Sequence, residues 1–145
     1  MNMKPHSAIT LAQLSQRLSR ALMSMPGLND VWITAETSDL RSSGGHCYME
    51  LIQKDPDTAT VVARSRAVIW ANTYARLGAV FYAATGSRLR SDMKIMVRVT
   101  VNFHAAYGLS LIINDIDPDY TVGDLARKRN EILSRLKDEG LADFN

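Results

Sequence analysis

The sequence predicts a mainly β fold, a five-stranded barrel with one helix inside the strand order and a helix at each end. Three observations carry that expectation. From Val31 the apolar residues change from a helical period to alternation, and the alternation recurs in five separate runs before Asp117. One helical stretch interrupts these runs, and it falls between the third and the fourth. Both ends of the chain instead space their apolar residues by three and four behind helix-capping signals.

The leading helix is punctuated at both ends. Thr10 followed by Gln13 forms a capping box, Ile9 and Leu14 take the staple positions, and Pro26 with Gly27 stops the helix. Leu11, Leu14, Leu18, Leu22 and Met25 recur along one face, which is expected to pack on the body that follows. The strand candidates are residues 31–38, 46–53, 61–70, 94–103 and 109–116. Ile95, Val97, Val99 and Val101 form the clearest inward-facing set, with Phe103 continuing it. A basic, glycine-containing loop is expected over 39–45, a helix over 72–84, and a loop over 86–93. Five strands with the helix after the third is the order of an OB-fold barrel, β1-β2-β3-α-β4-β5. Thr121 and Asp124 read as the capping box of a final helix with Leu125, Ile132, Leu133 and Leu136 as its stripe. Arg127, Lys128, Arg129, Arg135 and Lys137 form its solvated face, and Gly140 is placed to end it. The expected organisation is a helical extension over 1–28, the barrel over 29–120 and a closing helix over 121–145.

Composition sets bounds on function. With 145 residues and 46% hydrophobic content the chain suits one domain with a true core. Its net charge is only +2, yet between Arg41 and Tyr107 nine Lys and Arg stand against four acids, so the barrel itself is basic. The lone Cys47 excludes an internal disulfide, and no paired Cys/His spacing suggests structural zinc. No apolar run has the length of a membrane span or a signal core, so a cytoplasmic protein without a membrane partner is expected.

Strand alternation then sorts the polar residues. His46, Tyr48 and Glu50 share one face of the second strand, while Cys47, Met49 and Leu51 share the core face. In the third, Arg64, Arg66, Val68 and Trp70 lie together; either Arg66 and Trp70 stand outside beside Tyr48, or Val68 and Trp70 are buried while the arginines reach outward. Aromatic and basic side chains on neighbouring strands offer bases a stacking surface and phosphates a charge. Arg41 in the first loop, Arg98 in the fourth strand, and His104 with Tyr107 at the last hairpin complete the candidate nucleic-acid-binding set. Catalytic patterns are weaker. His46 and Cys47 point to opposite faces and cannot act as a dyad. Asp115, Asp117 and Asp119 surround Pro118 at a strand exit and read as a turn before they read as metal ligands. Gly44 and Gly45 open no helix, so no phosphate loop is present. No catalytic residue, metal or cofactor is expected.

At these residues a family resemblance emerges. The leading helix, the stretch VWITAETSDL, the run RSSGGHCYMEL, then SRAVIW, RVTVNFHAAYGLSLIINDIDP and LKDEGLADFN together resemble the N-terminal domain of the exodeoxyribonuclease VII large subunit. Ala35, Asp39, Ala71 and the longer hairpin over 56–62 depart from that family's pattern, as does Glu50, whose carboxylate would repel phosphate. The resemblance implies a single-stranded DNA-binding domain. In that family the large subunit continues into a catalytic region and a long helical region that gathers several small subunits, and the complex degrades single-stranded DNA. Two other readings remain open: a protein-interaction domain docking another subunit through Tyr48, Val68 and Trp70, and an RNA-binding OB domain.

Overall fold

In the computed structural model, which describes residues 7–143, the chain runs through α1 (Leu11–Ser24), β1 (Val31–Ser43), β2 (His46–Lys54), β3 (Val61–Ile69), α2 (Ala71–Thr85), β4 (Lys94–His104), β5 (Gly108–Asp117) and α3 (Pro118–Asp143). The strands close into a barrel in the order β1-β2-β3-β5-β4. Every neighbouring pair is antiparallel except β3 with β5. This is the predicted OB-fold order, with α2 between β3 and β4. No described helix is long and apolar enough to cross a membrane.

Closure depends on β1. Its first half pairs with β4, from Val31 opposite Val99 to Glu36 opposite Lys94. Its second half pairs with β2, and the register shifts between Ser38 and Arg41, where Asp39 adopts φ 49°. Such a bulge bends a strand and increases its twist. The expected loop over 39–45 is therefore mostly strand. Ser43 pairs with His46 across a two-residue turn in which Gly44 and Gly45 both take positive φ, the hairpin geometry that matches the twist of antiparallel strands.

Alternation delivers most of the core as expected, although Val101, the last of the expected inward valines, is only half-buried and lies outside the core cluster. Cys47, Met49 and Leu51 meet Ala67, Ile69, Ile95, Val97, Val99, Ile113 and Ile116 inside the barrel. Leu77 and Phe81 of α2 join Leu89 and Met93 in the same cluster. Burying each side chain of this size stabilises the fold by about 1.5–3 kcal/mol. Thr37 is also buried, and its hydroxyl donates to the Arg90 carbonyl at 2.7 Å while accepting from the Met93 N–H at 3.0 Å. The 86–93 segment is thus tied to β1, with a second link from the Leu40 N–H to the Ser91 hydroxyl.

Three expectations about the helices need correction. The capping box of α1 forms, but Leu11, Leu14, Leu18 and Met25 are exposed; Ser15 is the buried residue of this helix, and Leu22 is half-buried. The helix rests on β4 by the edge that carries Ser15 and Leu22, so most of the leucine stripe is left exposed among the described residues. In α3, Thr121 is not a cap. The helix starts earlier, with Pro118 at its first position and Asp117 Oδ1 accepting from the Asp119 N–H at 3.0 Å. Thr121 is buried and donates to the Lys94 carbonyl, and Asp124 faces Lys94, Arg127 and Lys128. The helix also continues through Gly140 to Asp143, so that glycine does not end it. Leu125, Ile132, Leu133 and Leu136 are exposed.

Candidate nucleic-acid interface

The β2–β3 ladder fixes the surface. Tyr48 lies opposite Val68, and Glu50 opposite Arg66, so these four residues share the outer face. Arg41 sits in β1 opposite Tyr48, not in a loop as expected. Val68 is buried although it faces outward with Tyr48, and it lies outside the core cluster. Trp70 is not part of β3: it is the extended residue that caps α2 with its backbone, and it is 46% exposed. The open question about these two residues therefore resolves differently for each, because the chain leaves the strand between them.

An aromatic cluster joins the end of β3 to the start of β2. The rings of His46 and Trp70 meet edge to face, with centroids 5.1 Å apart, and Tyr48 meets His46 the same way at 6.2 Å. His46 is held in place because its Nδ1 accepts the Ala71 N–H at 2.9 Å, one of the donors left unpaired at the start of α2. The β1–β2 turn packs against the same point, since a Cβ on Gly45 would lie 3.4 Å from the Ala71 Cβ. Turn, histidine and tryptophan thus form one positioned unit.

The basic residues divide into different environments. Arg64 donates to Glu50 Oε2 at 2.7 Å, so this pair neutralises both the cation and the carboxylate that would repel phosphate. Arg66 instead donates to the Tyr107 carbonyl, tying β3 to the β4–β5 turn. In that turn His104 stacks on Tyr107 with centroids 4.7 Å apart, and its Nδ1 accepts the N–H groups of Ala106 and Tyr107. Tyr107 is 68% exposed. Arg41 pairs with Asp39 at 3.3 Å, both exposed. Arg98 stands apart from the others: it lies opposite Trp32 and between Asp30 and Asp115, at 3.9 and 3.8 Å. Phe103 is half-buried at the end of the inward series.

Trp32 was missed by the sequence reading although its signal was available. Val31, Ile33 and Ala35 pack against the core, which leaves Trp32 outward, and it is 45% exposed. The carboxylates at the strand exit have structural partners, Asp115 with Arg98 and Asp117 as the cap of α3. Cys47 is fully buried, and burial pushes its thiol up from the ordinary range, while a hydrogen bond from Tyr74 acts in the opposite direction. A thiol so placed is a poor nucleophile. Larger recesses lie elsewhere, beside Glu36, Lys54, Lys94 and Tyr120 at about 320 Å³, and along Tyr74, Gly78 and Tyr82 of α2 at about 590 Å³. Between the β1 bulge and the β2–β3 face there is a smaller cavity of about 110 Å³.

A closed five-stranded barrel that carries aromatic and basic side chains on its β2–β3 face defines a class, and comparison with known proteins agrees. The chain belongs to the OB-fold nucleic acid binding domain family, which matches residues 9–117. Among curated proteins it is similar to the exodeoxyribonuclease 7 large subunit of Deinococcus radiodurans, 33% identical over 97% of this chain and 34% of that protein. The protein of the same name from Oceanobacillus iheyensis is 28% identical over 91% of this chain and 26% of its own length. The chain therefore spans between about a quarter and a third of the length of these relatives. Among solved structures, Schizosaccharomyces pombe Pot1pC bound to ssDNA overlaps 61% of this chain and 70% of its own at 10% identity, with a TM-score of 0.39. So loose an overlap bears on neither fold nor function.

Proposed function

We propose that this chain is the single-stranded DNA grip of an exodeoxyribonuclease VII large subunit. The observation that carries the reading is the outer β2–β3 face, where Tyr48, His46 and Trp70 form an aromatic ledge bordered by Arg41, Arg64 and Arg66. Bases stack on such a ledge without regard to sequence, and guanidinium groups track the phosphates. The β4–β5 turn, with stacked His104 and Tyr107, extends the ledge at the edge where Arg66 anchors it. Arg98 would then serve the β1–β4 side and not this path.

In this reading the hydrolysis of DNA belongs to a catalytic region of the longer large subunit, which assembles with small subunits through other segments in the cytoplasm. The domain's part is to hold the strand. Fluorescence anisotropy with labelled DNA, RNA and duplex oligomers of equal length tests it. Single-stranded DNA should bind with affinity that falls steeply with salt, since bound phosphates release counterions. Duplex should bind more weakly, and RNA should differ through its 2′-hydroxyl. Affinity for single strands that is absent or indifferent to salt defeats the proposal.

One observation favours a second activity on a different face. The leucines of α1, exposed among the described residues, are too apolar for a DNA path and suit a protein surface. Docking there and DNA binding on β2–β3 are compatible.

A further inference from the structure

The cavity of about 110 Å³ beside the β1 bulge combines features that stacking alone does not need. Met49 and Ala67, both buried, line it from the core side, and Tyr48, Glu50, Arg41 and Arg66 line it from the outer face. It exists because β1 breaks its pairing with β2 between Ser38 and Arg41. Its lining sets the carboxylates of Glu50 and Asp39 beside the guanidinium groups of Arg41 and Arg66, so it offers a bare anion no net positive charge. The edge of a nucleobase is a good occupant, because it presents N–H donors to a carboxylate and lone pairs to guanidinium groups together.

We infer that this cavity receives one splayed base and that Glu50 accepts an N–H from the base's pairing edge, making Glu50 a residue that selects single strands. Arg64 engages Oε2 of Glu50 and holds the side chain in place. Glu50 lines the cavity, and its other oxygen makes no hydrogen bond among the described residues, which leaves it able to accept one. Arg66, opposite Glu50 in the ladder, is placed to donate to the neighbouring ring nitrogen or carbonyl. All four DNA bases carry an N–H on the edge used in pairing, so such a contact reads no sequence. It reads whether the base is paired. In duplex that edge is occupied by the partner base, so the contact is lost even though the outward amino hydrogens of adenine and cytosine stay exposed in the major groove.

The inference rests on the proposed DNA-binding reading, and it separates from it in one experiment. Oligo(dT) is compared with the same oligomer carrying N3-methylthymine, which keeps the stacking ring and the phosphates but has lost its only N–H donor. The wild-type chain should bind the methylated strand about ten-fold more weakly, the size expected for one hydrogen bond to a charged group. Glu50→Ala should bind the two strands alike and narrow the gap between single strand and duplex. Equal binding of the two strands by the wild-type chain overturns the role of Glu50 while leaving the stacking ledge intact. Failure of both strands to bind at low salt overturns the DNA reading itself, and this inference with it.

Discussion

At the scale of single residues, the two arginines of β3 make different predictions although they lie two positions apart. Arg64 is held by Glu50, whereas Arg66 has a carbonyl partner and keeps its full charge for a phosphate. Arg66→Ala should therefore weaken single-strand binding for every sequence and make the slope of log affinity against log salt shallower by about 0.7. Arg64→Ala should change that slope less, because its charge is already matched by Glu50. Equal slopes for the two variants would falsify the division. Trp70 offers a second test. Its backbone caps α2 while its indole leans on His46 and stays 46% exposed, so shortening the side chain leaves the cap intact. Trp70→Ala should lose about 1–3 kcal/mol of single-strand affinity and keep a cooperative melt. A variant that no longer unfolds cooperatively shows instead that the indole is part of the fold.

At the scale of elements, the same apolar stripe means different things in different helices. Phe81 of α2 is fully buried in the barrel cluster, and Phe81→Ala should cost about 3–5 kcal/mol in urea unfolding. Leu14 and Leu18 of α1 look equally core-like in sequence but are exposed, so Leu14→Gln and Leu18→Gln should each shift stability by no more than about 0.5 kcal/mol. A loss of several kcal/mol at either leucine shows that the helix packs as its periodicity first suggested. The contrast also marks what the sequence could reveal. Alternation located all five strands and the inward set Ile95, Val97 and Val99, since period and core side follow from the backbone alone. It could not show the bulge at Asp39, which made a loop of residues that pair, nor that β3 ends before Trp70. Capping patterns are local, so Thr10 with Gln13 formed as read, while Thr121 matched the pattern but was enclosed by Pro118 and Asp117 upstream. The Glu50–Arg64 pair and the Arg66 anchor join positions far apart in sequence, and only the closed barrel brings them together.

At the scale of the whole molecule, the proposed division between holding DNA and cutting it matches how the carboxylates are used. A nuclease centre built on metal ions needs acidic side chains free to converge on a metal and a water. Here Asp115 faces Arg98, Asp117 caps α3, Asp124 faces three cations, and Glu50 and Glu36 pair with Arg64 and Lys54. Among the described residues no group of three potential ligands converges. The domain should therefore retain labelled single strands without shortening them, with or without magnesium, and the affinity should be modest because one such face holds few bases. The relatives are about three to four times as long as this chain, which leaves ample length for catalysis elsewhere in a protein of that kind. Incubating the purified chain with end-labelled single strands and resolving the products by length decides the matter. Intact strands at every time point agree with a grip that feeds a separate centre. Degradation that follows the protein through purification, and that disappears when Asp115 and Asp117 are replaced, shows that the strand exit is itself catalytic.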